Sequence, residues 1–198
     1  MISTGEPQLL SVACLFADVR GSTALTNSLG IVRMSAFVGE FLDEFDRIVH
    51  GEGGRVGNYS GDGALAVFSG DFRVDRAVAA ASSLQSNLRQ GNLPVSGCGG
   101  PEAGSTSRRL PFQVSTGIDV GSAVERAVGY NYRGTSWVGR CPNTSAKLTK
   151  RGDATASIAI TEEALAEISS DCAIPPGLWT PAESELVGGE TRTVFVPR

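Results

Sequence analysis

One histidine, His50, and four cysteines, Cys14, Cys98, Cys141 and Cys172, are spread through 198 residues. None stands at metal-ligand spacing and no CxxC pair occurs, which argues against a zinc site. Scattered cysteines, with Cys14 inside an apolar run, read as free thiols of a reducing compartment, so a cytoplasmic protein is expected. No apolar run approaches the roughly 20 residues that span a bilayer. The N-terminus lacks a basic segment followed by a long apolar stretch, so neither a membrane nor an export signal is expected. Positive charge is also short, with 17 Lys and Arg against 21 Asp and Glu and a net charge of −4. No nucleic-acid-coating surface is expected from that balance. A nucleotide substrate remains compatible with it, because a divalent cation inverts the local sign of a site.

What is present describes an ordinary globular chain, with 41% hydrophobic and 19% charged residues. Its length suits one domain over residues 1–198. Leu9 to Val19 is apolar, rich in strand formers and closed by Arg20-Gly21, which predicts a buried strand. Ser22 and Thr23 follow as N-caps. From about Ile31 to Val49, the spacing of Phe37, Phe41, Phe45, Ile48 and Val49 predicts a helix with one buried face. His50 at its end suits the helix dipole.

Two strands, Arg55 to Ser60 and Ala64 to Phe68, flank Gly61-Asp62-Gly63, a hairpin signal. A helix is predicted over 72–89, an exposed loop over 91–109 and a strand over 112–120, with a further strand at 123–128. A helix over 143–150 ending at Arg151-Gly152 comes next. A strand (156–160), a short helix (161–168) and a last strand (191–196) close the chain. Helices and strands alternate irregularly around a central hairpin, which favours an α+β sandwich over a doubly wound parallel sheet.

Two carboxylates carry chemical interest. Asp18 ends an apolar strand before a helix start, where free backbone N–H groups can receive an anion. Asp62 sits at a hairpin tip. Alone, Asp18 reads more readily as a cap and Asp62 as an ordinary turn residue than as metal ligands. If the first strand and the hairpin are neighbours, both carboxylates meet at one sheet end, and hard divalent cations fit between them.

The segment Phe16-Ala17-Asp18-Val19-Arg20-Gly21-Ser22-Thr23 resembles the first metal motif of class III adenylyl and guanylyl cyclases. Gly53-Gly54-Arg55-Val56 followed by Gly61-Asp62-Gly63-Ala64-Leu65-Ala66-Val67-Phe68 is similar to their second. Gly117-Ile118-Asp119-Val120-Gly121 resembles the strand that comes next, and Val138-Gly139 with Asn143-Thr144-Ser145-Ala146-Lys147-Leu148 resembles the helix of transition-state residues. The motifs fall in family order over about residues 9 to 150.

The resemblance implies the family's ferredoxin-like sandwich, with a mixed, mostly antiparallel sheet, and a head-to-tail homodimer with active sites at the interface. Asp18, Asp62 and the Val19 carbonyl would hold two divalent metal ions, Mn²⁺ or Mg²⁺. Phe16, Arg20, Gly21, Ser22 and Thr23 would line the triphosphate of the nucleoside triphosphate. Asn143 and Lys147 of the other chain would serve the transition state. Lys147 replaces the family's Arg and keeps its charge without the bidentate fork.

The base-reading positions depart from both purine codes. The adenylyl lysine, four residues before the second Asp, is Asn58, and the adenine reader, seven residues before the Asn, is Ser136. Asn58 offers a donor and an acceptor, which suits the O4 or N4 edge of a pyrimidine. Tyr59 reads either as an aromatic packed under the hairpin or as a ring narrowing the base pocket. In this the chain is similar to the bacterial pyrimidine cyclases of the Pycsar anti-phage systems. That implies UTP or CTP as substrate, a cyclic 3′,5′-nucleotide as messenger and a separate effector that responds to it. A divergent adenylyl cyclase and a catalytically degenerate nucleotide-binding domain remain open beside it.

Overall fold

A computed structural model describes residues 7–90, 112–129, 134–150, 157–182, 184–187 and 190–198. The predicted loop 91–109, Cys98 and Arg151-Gly152 lie outside them. Strand β1 (Gln8–Val19) runs into helix α1 (Ser22–Leu29) and helix α2 (Ile31–Gly51). Strands β2 (Arg55–Ser60) and β3 (Gly63–Ser69) form the hairpin, and helix α3 (Arg73–Gln90) follows. Then come β4 (Val114–Val128), β5 (Gly134–Gly139), helix α4 (Arg140–Leu148), β6 (Ile158–Thr161) and the short helix α5 (Glu162–Leu165). Strands β7 (Trp179–Pro181), β8 (Glu185–Val187), β9 (Glu190–Arg192) and β10 (Val194–Pro197) end the chain.

The main sheet has the order β2-β3-β1-β4-β6-β10-β7, with β5 paired to β4, while β8 and β9 pair with each other. The β4–β6 pair is parallel; β1 runs antiparallel to both β3 and β4. The fold expected from the sequence, helices on a mixed and mostly antiparallel sheet, is the fold observed. β1 is apolar from Val12 to Ala17 because both its faces are covered there. Ala13, Leu15, Ala17 and Val19 join the core shared with α2 and α3. Val12 and Cys14 join a second core with Leu65, Val67, Trp137 and Cys141, against which Phe16 packs.

Helix α2 buries Met34, Phe37, Phe41, Phe45, Ile48 and Val49. Each buried phenylalanine contributes about 1.5–3 kcal/mol. A missing side-chain cap costs only about 1 kcal/mol, so α2 holds without one. The alanines of α3, Ala77, Ala80 and Ala81, let it lie close on the sheet.

Several boundaries differ from the sequence reading. Ser22 and Thr23 do not cap a helix. The left-handed Gly21 (φ 63°) is the N-cap, and both residues lie inside α1. β4 continues through Gly121 as one strand of 15 residues. α4 begins three residues before Asn143, since Pro142 falls in its first turn, where a missing N–H costs nothing. The last strand is two short ones, β9 and β10, and β5, β7 and β8 were not foreseen.

Candidate active site

The register of β1 and β3 builds the centre of the site. Asp18 pairs with Gly63, so Asp62 in the hairpin turn falls beside it. The Val19 N–H donates to the Asp62 carbonyl at 3.3 Å. A Cβ on Gly63 would meet Asp18 Oδ1 at 2.8 Å and the Phe16 ring at 2.9 Å, so only glycine leaves the carboxylate and the ring their places. Burial pushes the Asp18 carboxyl above the usual carboxylate range; the negative charge of Asp62 pushes it further, and the positive charge of Lys150 pulls it down. Two carboxylates thus repel each other at one end of the sheet, an arrangement that a cation relieves.

The donor set fits a hard divalent cation. It consists of carboxylate and carbonyl oxygens, and among the described residues no cluster of three or more His, Cys, Asp or Glu closes the shell. Positions are left for water or phosphate oxygens, as Mg²⁺ prefers. On the α1 side, a cleft of about 290 Å³ is lined by Ser22, Thr23, Thr26, Ile31, Met34, Gly61 and Asp62, among others. Arg20 donates through Nε to the Ser115 hydroxyl, and its N–H donates to the Gln113 carbonyl at 2.7 Å. Phe16 thus lies beside Asp18 at Gly63, and Ser22 and Thr23 line one cleft with Asp62. A larger cleft of about 540 Å³ lies between α3, Ile158 and the C-terminal Pro197-Arg198, on elements that carry none of these residues.

Helix α4 covers the sheet face to which Cys14 points, and three buried contacts fix it. The Cys14 thiol donates to Cys141 Sγ at 3.4 Å. Thr144 hydrogen-bonds Asp119, a fully buried carboxylate of β4 whose Oδ1 also accepts from the Thr161 hydroxyl at 2.7 Å. Burial pushes the Asp119 carboxyl up, while Thr161, the Val120 N–H, Thr144 and the Arg192 charge pull it down. Gly117 lets the helix approach, since a Cβ there would overlap the Ser145 carbonyl and meet Leu148 Cβ at 2.6 Å. With that side fastened, Asn143 and Lys147 are presented to solvent. Among the described residues no hydrogen bond joins either to Asp18.

Strand β5 lies across the same face. Trp137 packs over Gly57, where a Cβ would meet its ring at 2.6 Å, and Arg55 stacks on that ring at 5.4 Å. Ser136 and Asn58 flank this contact on the two strands. The β2–β3 register shifts between Val56 and Asn58, leaving Gly57 in a bulge. Asn58 then pairs with Leu65, of the second core, and Tyr59 with Ala64, of the first. Tyr59 thus points away from Asn58, toward α2. There burial first, then the charge and hydrogen bond of Asp46, hold its hydroxyl pKa up. The structure does not bring Tyr59 into a shared pocket with Asn58.

Sequence reasoning missed Gly63, Ser115, Asp119 and Lys150. Lys150 was legible as the residue three after Lys147, on one helical stripe. The partners of Ser115 and Asp119 come from distant elements and left no local signal.

No family model matches the chain. It is 33% identical over 138 residues to a protein of Xanthomonas perforans named uridylate cyclase, spanning 68% of this chain and 57% of that one. It is 29% identical over 173 residues to an adenylate cyclase of Anabaena cylindrica, spanning 85% of this chain and 33% of that one. The chain thus spans between a third and three fifths of these relatives. Among solved structures, the adenylyl cyclase CyaB from P. aeruginosa superposes with a TM-score of 0.77 at 20% identity, over 98% of this chain and 96% of that one.

Proposed function

From a chain that has the class III nucleotidyl cyclase fold and is similar in sequence to proteins named as cyclases, we propose a pyrimidine nucleotide cyclase. It converts UTP or CTP into the 3′,5′-cyclic monophosphate and pyrophosphate at a site shared by two copies of the chain. The observation that carries this reading is the pair Asp18 and Asp62 at one sheet end, with Asp18 pushed up by burial and by its neighbour. Similarity to a uridylate cyclase and the non-purine residues Asn58 and Ser136 support the pyrimidine preference.

Asp18, Asp62 and the Val19 carbonyl would hold Mn²⁺ or Mg²⁺, which supplies charge neutralisation at the phosphates and acidifies the attacking hydroxyl. The chain's own groups do the positioning. Ser22, Thr23 and the N–H groups at the start of α1 receive phosphate oxygens. Arg20, steadied by Ser115, adds positive charge beside them. Asn143 of the second copy orients the ribose, and Lys147 meets the charge that develops on the α-phosphate. The ribose 3′-oxygen then forms a bond to the α-phosphorus as the bond to the β-phosphate oxygen breaks. The hydroxyl proton is lost to solvent and pyrophosphate leaves. The cyclic product acts as a messenger to a separate effector in anti-phage defence.

Incubating the purified chain with ATP, GTP, CTP and UTP in Mn²⁺ and in Mg²⁺ tests the reading by chromatography of products. Cyclic UMP or cyclic CMP is expected as the main product, and Asp62→Ala is expected to abolish it in a protein that still folds. Preference for ATP would favour an adenylyl cyclase, the reading supported by similarity to the Anabaena cylindrica protein over 85% of the chain. No product from any nucleotide would leave a degenerate nucleotide-binding domain.

A further inference from the structure

We propose that Lys150 is a substrate-binding residue that serves the carboxylate site of its own chain, while Asn143 and Lys147 of the preceding helix α4 serve the partner's. This rests on the cyclase reading above and divides the helix and the turn after it between two active sites.

The placement of α4 carries the argument. Asn143, Lys147 and Lys150 fall at i, i+4 and i+7, on one exposed stripe. Lys150 lies in the turn that continues α4, with its N–H donating to the Lys147 carbonyl at 3.0 Å. The helix has a direction on the sheet. Its start touches Cys14 through Cys141. Its later turn, Ser145 to Leu148, lies over Gly117, which pairs with Phe16. Extending that course by two residues leads Lys150 toward Asp18, two residues beyond Phe16 on β1. The faces agree as well. Side chains alternate along a strand, so Cys14, Phe16 and Asp18 share the face that α4 covers.

Electrostatics agrees with that course, since Lys150 is the cation whose charge acts on Asp18. Arg20, two residues beyond Asp18, directs its Nε to Ser115. An exposed lysine that makes no buried contact among the described residues has little to do for the fold. Its ammonium is a mobile point charge suited to the non-bridging oxygens of the β- and γ-phosphates.

Two measurements test this. Chains carrying Asp62→Ala and Asn143→Ala are mixed, so that the mixed dimer keeps one site with both carboxylates and an asparagine. Lys150→Ala on the Asn143→Ala chain, which supplies the carboxylates of that site, is expected to lower kcat/KM about 10- to 100-fold, as for a lost charge-assisted hydrogen bond. On the Asp62→Ala chain, the same substitution falls at the site already dead. A loss from that chain, or equal losses from both, would overturn the proposal. Independently of turnover, calorimetric titration with pyrophosphate in Mg²⁺ is expected to show about tenfold weaker binding for Lys150→Ala and recovery for Lys150→Arg. Unchanged affinity refutes the assignment. If the unmodified chain turns over no nucleotide, the cyclase reading fails and the titration still decides whether Lys150 binds phosphate.

Discussion

Asp18 is held where its charge is least welcome, half-buried and beside another carboxylate. Its pKa is raised in the fold, so between the unfolded and folded values the native chain binds more protons than the unfolded one. The stability from protonated Asp18 is therefore present below the unfolded value and lost as pH rises through the folded value. Above the folded value the ionised side chain weighs against the metal-free fold. Asp18→Asn is expected to raise the melting temperature of the metal-free protein at pH 7 by roughly 1–3 °C, and the gain should shrink toward pH 4. Mn²⁺ is expected to stabilise the wild type at pH 7 and the variant much less. Melting curves by circular dichroism with EDTA or Mn²⁺ check both. A variant less stable than wild type at pH 7 in EDTA would contradict the account.

At the scale of elements, α4 depends on a missing side chain beneath it. Gly117→Ala forces a methyl group against the Ser145 carbonyl and Leu148. Overpacking of this kind costs about 1–3 kcal/mol. An unfolding free energy lowered by that amount is expected from denaturant curves, with catalysis impaired beyond the loss of folded protein because Asn143 and Lys147 shift. Gly39→Ala on α2, where a Cβ meets nothing within 4 Å, serves as the control and is expected to be neutral or slightly stabilising.

Legibility followed the range of the interactions. β1, the hairpin and the Phe37-Phe41-Phe45 stripe were readable because their patterns are local. β5 was not, because Gly134–Gly139 has few apolar residues and is held by pairing with β4 and by Trp137 on Gly57. The two carboxylates were readable as a pair only through the ordered motifs. The facing of Tyr59 was not, since it depends on alternation after a bulge at Gly57.

The whole molecule raises a question of stoichiometry. Asn143 and Lys147 face outward on α4, and the carboxylates lie at the sheet end, so the proposed site would need a second copy to complete it. Activity per chain is therefore expected to fall on dilution, in step with dissociation measured by analytical ultracentrifugation. Constant specific activity across a range in which the dimer dissociates would refute a shared site. No described helix is long and apolar enough to cross a membrane.

The bulge at Gly57 has an evolutionary consequence. Asn58 and Asp62 sit on one hairpin four residues apart, yet the irregular stretch lies on the Asn58 side and the regular pairing of β1 with β3 holds the Asp62 turn. Residues beside the bulge can change without disturbing that ladder. If Asn58 reads the base as proposed, substitutions that change base preference would leave the carboxylate turn in place.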